Sequence, residues 1–106
     1  MRQAARTDTN HRAIVTALRT AGAQVLDLHG VGNNCPDLLV YSNAYGPIDG
    51  WWLMEIKSGN GKQTAGQRAF AIRWPVTVVR TPEQALDEIG MFRERRLVDK
   101  ILRRRC

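Results

Sequence analysis

The sequence predicts an α/β domain in which helix, strand, β-hairpin, helix, strand and helix follow one another. Three observations carry that expectation. Apolar residues recur at helical spacing in some stretches and as short strand-like runs in others, separated by glycine, proline and capping residues. The central hairpin is apolar on both faces, so it calls for helices above and below the sheet. Finally, 106 residues with 43% hydrophobic and 25% charged side chains suit one soluble domain around a single modest core.

Residues 1–6 are expected to fray. Asp8, Thr9 and Asn10 supply N-cap oxygens for a helix that runs to about Ala21, with Gly22 as its C′ residue. Ile14, Leu18 and Ala21 form the apolar stripe, Arg12 and Arg19 face outward, and His11 reads as an exposed histidine of the first turn. Residues 23–28 form a short strand around Val25, Leu26 and Leu28. The run His29-Gly30-Val31-Gly32-Asn33-Asn34 then makes a tight turn into Cys35-Pro36-Asp37. No Gly-Lys-Ser/Thr follows, so it is not a phosphate loop. His29 enters that turn as a candidate substrate contact, and Cys35 reads as a packing residue.

Residues 38–41 and 51–56 read as the two strands of an antiparallel hairpin, joined by the turn-rich residues 42–50. Symmetry about that turn sets Asp37 opposite Glu55, Leu39 opposite Leu53 and Tyr41 opposite Trp51. Opposed residues bring their Cβ atoms to within about 5.5 Å. Alternation puts Lys57 on the face of Glu55 and turns Ile56 away. Two juxtaposed carboxylates destabilise a fold unless a counter-charge is present. A divalent cation with oxygen ligands, Mg²⁺ above all, supplies one; an Asp37–Glu55–Lys57 salt-bridge cluster is the alternative. Trp51 and Trp52 are both expected in the core.

Residues 58–63 form a flexible polar loop in which Lys62 can meet a phosphate. Thr64 caps the next helix, and Gln67 at N3 completes a capping box. That helix carries Arg68 and Arg73, with Phe70, Ile72 and Trp74 as its apolar residues, and Pro75 ends it. Residues 76–79 are almost wholly apolar and read as a buried strand. Thr81-Pro82-Glu83-Gln84 is a second capping box with proline at N1, and its helix pauses at Gly90. From Phe92 onward, Leu97, Val98, Ile101 and Leu102 recur at helical spacing among basic residues. This basic helix can pack on the domain, pair with a second copy in a homodimer, or lie along DNA.

The net charge of +6 and a pI near 10.2 favour a polyanionic partner. No Lys or Arg occurs between Thr20 and Ile56, where Asp27, Asp37, Asp49 and Glu55 lie; all sixteen basic residues flank that window. An acidic centre between basic arms suits a metal-bearing cleft in a phosphate-binding surface. No apolar run approaches the ~20 residues of a membrane-spanning helix, and residues 1–6 lack the apolar segment expected of a secretory signal. Two cysteines match neither a disulfide framework nor a zinc spacing, which fits a reducing cytoplasm, the host's if the chain is viral.

Pro36-Asp37 followed by Glu55-Ile56-Lys57 resembles the motif of the PD-(D/E)XK nuclease superfamily. The string Val31-Gly32-Asn33-Asn34-Cys35-Pro36-Asp37-Leu38-Leu39, with Thr64-x-x-Gln67 downstream, is similar to the small stand-alone VRR-NUC (virus-type replication-repair nuclease) proteins of phages. The likeness spans about residues 7–89. It implies an αβββαβ restriction-endonuclease-like core with a mixed four-stranded sheet, here about residues 7–91, followed by the extra basic helix of 92–106. It also implies a Mg²⁺-dependent endonuclease, with Mn²⁺ able to substitute, that cuts DNA in replication, repair or recombination and selects junctions, flaps or nicks. Asp37, Glu55 and the backbone carbonyl of Ile56 would hold the metal, while Lys57 and Gln67 join Asp37 and Glu55 in catalysis. Lys62, Arg68, Arg12 and His29 are the candidate DNA contacts. The family's glutamate on the first helix falls at Ala13 here, with Asp8 the nearest carboxylate. The other reading is a DNA-binding or packaging accessory that keeps the fold with weak catalysis.

Overall fold

The computed structural model describes residues 2–45 and 48–92, and within them the side chains of all but residues 2–9, 48 and 49. Its elements are α1 (Arg2–Thr20), β1 (Gln24–Asp27), β2 (Leu38–Tyr45), β3 (Ile48–Ile56), α2 (Ala65–Arg73), β4 (Val76–Val79) and α3 (Pro82–Glu88). One mixed sheet runs in the order β1-β2-β3-β4. The first three strands pair antiparallel, and β4 lies parallel to β3. Parallel neighbours need a crossover, and α2 supplies it. The expected α/β order is therefore present. The basic helix expected from Phe92 onward lies, apart from Phe92 itself, outside the described residues.

The hairpin register is the expected one, with Leu39 opposite Leu53 and Tyr41 opposite Trp51. Period-two alternation then sends Leu38, Val40, Met54 and Ile56 to one face and Leu39, Tyr41, Leu53 and Glu55 to the other. The first set is buried against Ile14, Val15 and Leu18 of α1 and against Ala85 and Ile89 from and just after α3. This is the core of the molecule, and it lies on one side of the sheet.

Several expectations need correcting. Helix α1 begins at Arg2, not near Asp8–Asn10; the alanines and arginines of residues 2–6 are strong helix formers and extend it backwards. Strands β2 and β3 continue to Tyr45 and from Ile48, so most of the stretch expected as a turn is ladder. The second face of the sheet is not covered as the first is. Helix α2 has only nine residues, roughly 13–14 Å of helix, and contains no buried residue. Trp51 is consequently 68% exposed and Ile72 86% exposed, with Trp74 also in solvent; only Trp52 packs on the core. Strand β4 is a sheet edge with one open face, so Val79 alone of its residues is fully buried. Among the described residues no helix is long and apolar enough to cross a membrane.

Candidate active site

Asp37 stands just before β2, and the β2–β3 register carries it to the end of β3 beside Glu55 and Ile56. Its Oδ2 accepts the Ile56 N–H at 2.7 Å, and its carbonyl accepts the Leu28 N–H at 2.8 Å. One carboxylate oxygen is thus tied to the neighbouring strand, and Oδ1 faces His29. Glu55 is only 2% exposed, and its Oε2 has no hydrogen-bond partner among the described residues. The nearest cation is Lys57 Nζ, 4.0 Å from that oxygen, which is an electrostatic neighbour but too far for a hydrogen bond. Burying a carboxylate oxygen unsatisfied is costly, so the site has the donor set and the deficit that a bound cation would fill. Ile56 buries its side chain in the core, which leaves only its backbone to the site.

Lys57 donates from Nζ to Gln67 Oε1 at 2.7 Å. The same oxygen accepts the Thr64 N–H at 2.9 Å, while Thr64 Oγ1 accepts the Gln67 N–H at 3.2 Å. Capping and a place beside the site do not compete for the Gln67 side chain. A carbonyl oxygen has two lone pairs and serves both donors, so the capping box itself aims Gln67 at Lys57. Two variants separate the roles. Thr64→Ala is expected to lower stability by about 1 kcal/mol with little change in activity. Gln67→Ala should show a similar loss and, in addition, lower turnover roughly tenfold, the worth of one hydrogen bond to a charged group. Urea unfolding and initial rates measured on both proteins check this.

The loop between β1 and β2 brings in the imidazoles. Gly32, Asn33 and Asn34 all have positive φ, at +79°, +56° and +62°. Asparagine tolerates the left-handed region better than most residues, but two in succession store strain of the kind found at functional sites. Helix α2 sits directly on this loop: a Cβ at Gly66 would lie 2.5 Å from Asn34 Oδ1, so any larger residue there would push the Asn34 side chain aside. His29 is exposed, with Nδ1 3.7 Å from Asp37 Oδ1, and its backbone N–H donates to Asp27 Oδ1 at 2.9 Å.

His11 is not the exposed helix-end residue that its position suggests. The earlier start of α1 places it mid-helix, where it is only 8% exposed, with Nε2 2.8 Å from Asp27 Oδ2. Its ring meets that of His29 edge-on, centroids 5.3 Å apart. Burial pushes the Asp27 carboxyl up. The His29 N–H, the His11 hydrogen bond and the charges of both imidazoles outweigh that effect and hold it below its ordinary value. Asn10 Nδ2 donates to Ser58 Oγ at 3.4 Å, so α1 reaches the loop after β3 through Asn10 and the end of β1 through His11. Ala13 itself is exposed.

The remaining candidates lie on the surface. Arg12 and Lys62 are exposed, and Arg68 donates from Nη1 to the Gln63 carbonyl at 2.8 Å. One contributor escaped the sequence altogether. Arg80 donates from Nη1 to the carbonyls of Gly59 (3.0 Å) and Gly61 (2.7 Å), clamping the loop after Lys57 that was expected to be flexible. The parallel pairing of Ile56 with Val79 puts Arg80 there, and no local pattern announces it. No protein-family model matches the chain, and neither the curated proteins nor the solved structures provide a match.

Proposed function

We propose that this protein is a Mg²⁺-dependent endonuclease that hydrolyses DNA phosphodiester bonds and prefers branched or nicked DNA. The observation that carries the reading is the buried Glu55 carboxylate, its Oε2 unpartnered, next to Asp37 and under Lys57. Motif order supports it, since Asp37, Glu55 and Lys57 converge at the end of one hairpin. Asp37 and Glu55, with the backbone of Ile56, would hold the ion. When bound, Mg²⁺ polarises the scissile phosphate and lowers the pKa of a coordinated water.

The chain's own groups account for the rest. Lys57 Nζ, aimed by Gln67, orients the attacking water and offers positive charge where negative charge grows on the phosphate. Arg80 and the Gly61 N–H to Ser58 carbonyl bond (2.8 Å) hold the following loop in place. Arg12, Lys62, Arg68 and His29 are the proposed phosphate contacts, sequence-independent and therefore sensitive to salt.

The test is cleavage of four DNAs of one sequence family: plain duplex, nicked duplex, flap and four-way junction. Mg²⁺ is expected to support cutting, fastest on a branched or nicked form, with Mn²⁺ as a substitute and a chelator abolishing it. Binding to all four without cutting any, in either metal, would replace this reading with that of a DNA-binding accessory.

A further inference from the structure

We propose that His11, His29 and Asp37 form a second cation site, built for a divalent transition ion of the zinc and cobalt class. The chain has only two histidines, one on α1 and one on the β1–β2 loop, and the fold brings both to the same carboxylate. One donor atom from each of the three residues lies within 4.8 Å of the other two. Zinc binds imidazole nitrogen and carboxylate oxygen at about 2.0–2.2 Å, so tetrahedral donors stand roughly 3.3–3.6 Å apart. His29 Nδ1 and Asp37 Oδ1, 3.7 Å apart, already stand close to that spacing, and a contraction of about 1 Å in the longer separations closes the set.

Three features separate this cluster from a chance meeting of polar groups. Asp27 holds both histidines at once, through Oδ2 to His11 Nε2 and Oδ1 to the His29 N–H. A carboxylate on the far nitrogen is how metal-binding imidazoles are commonly oriented, and with Nε2 donating, the His11 lone pair lies on Nδ1. Asp37 has Oδ2 committed to the Ile56 N–H, so Oδ1, the oxygen facing His29, remains for an ion. Two imidazoles and one carboxylate suit borderline ions and not Mg²⁺, which prefers oxygen and keeps its waters. Asp37 therefore lies between an oxygen-rich site with Glu55 and a nitrogen-rich one with the histidines. The inference goes beyond the proposed hydrolysis and does not depend on it.

The experiment titrates chelator-stripped full-length protein with Co²⁺, read by visible ligand-field absorption and by the imidazole NMR signals, with Zn²⁺ as competitor. One Co²⁺ is expected to bind, to perturb both histidines, and to be displaced by Zn²⁺. His29→Ala, at an exposed residue that cannot endanger the fold, should weaken Co²⁺ about tenfold or more, and Asp27→Asn should do so within the 10–100-fold range of an orienting carboxylate. Glu55→Gln should leave Co²⁺ binding in place. Absence of Co²⁺ binding, unchanged affinity in His29→Ala, or loss of affinity in Glu55→Gln each overturns the proposal. None of these readouts involves DNA, so a failed second site and a failed nuclease reading are told apart.

Discussion

Replacing Lys57 with alanine is expected to lower the DNA cleavage rate by about 10²–10³-fold, the usual loss when one preorganised charge-stabilising donor is removed. Its ammonium group is the nearest cation to Glu55 Oε2 and is held 2.7 Å from Gln67 Oε1. Nothing in the hairpin ladder depends on that side chain, so circular dichroism should remain close to wild type, while urea unfolding without Mg²⁺ should show a loss of stability, because the buried Glu55 carboxylate loses its nearest counter-charge. Mg²⁺ binding should persist, because removing a positive charge beside a cation site does not repel the ion. A variant that binds Mg²⁺ and cuts at the wild-type rate would exclude Lys57 from the chemistry. One that loses Mg²⁺ as well would make it part of the metal site's scaffold.

The Asp37→Asn variant should fail at an earlier step. An amide is isosteric, and its oxygen still accepts the Ile56 N–H, so the hairpin should keep its register. What is lost is the negative charge that a hard divalent cation requires. Mg²⁺ affinity by calorimetry is expected to drop about tenfold or more, an amount at least equal to that of disturbing an outer partner of a metal ligand, and cleavage should fall with it. Raising the Mg²⁺ concentration should recover part of the activity in Asp37→Asn and none in Lys57→Ala. Unchanged Mg²⁺ affinity would place the cation away from this hairpin.

The hairpin was legible because its information is local. Strand period two and a single turn place Leu39 against Leu53 and Tyr41 against Trp51, and Asp37 and Glu55 follow two residues further along. The Thr64–Gln67 capping box was equally plain, since its partners are three residues apart. The site around Glu55 and Lys57 is an extension of these two local patterns.

Local pattern was enough for the order of the elements, the register of the hairpin and the face on which Asp37, Glu55 and Lys57 meet. Tertiary structure alone decided which neighbours complete that face. His11 reaches Asp27 and His29 because α1 starts at Arg2 and crosses the strand ends, and Arg80 reaches the loop after Lys57 because β4 pairs parallel to β3. Trp51 stands in solvent because α2 is too short to cover the sheet there. The physical reason is the same in each case. Apolarity and charge tell what a side chain can tolerate beside it, whereas contacts between distant segments depend on how elements of particular length and direction pack, and no local period encodes that.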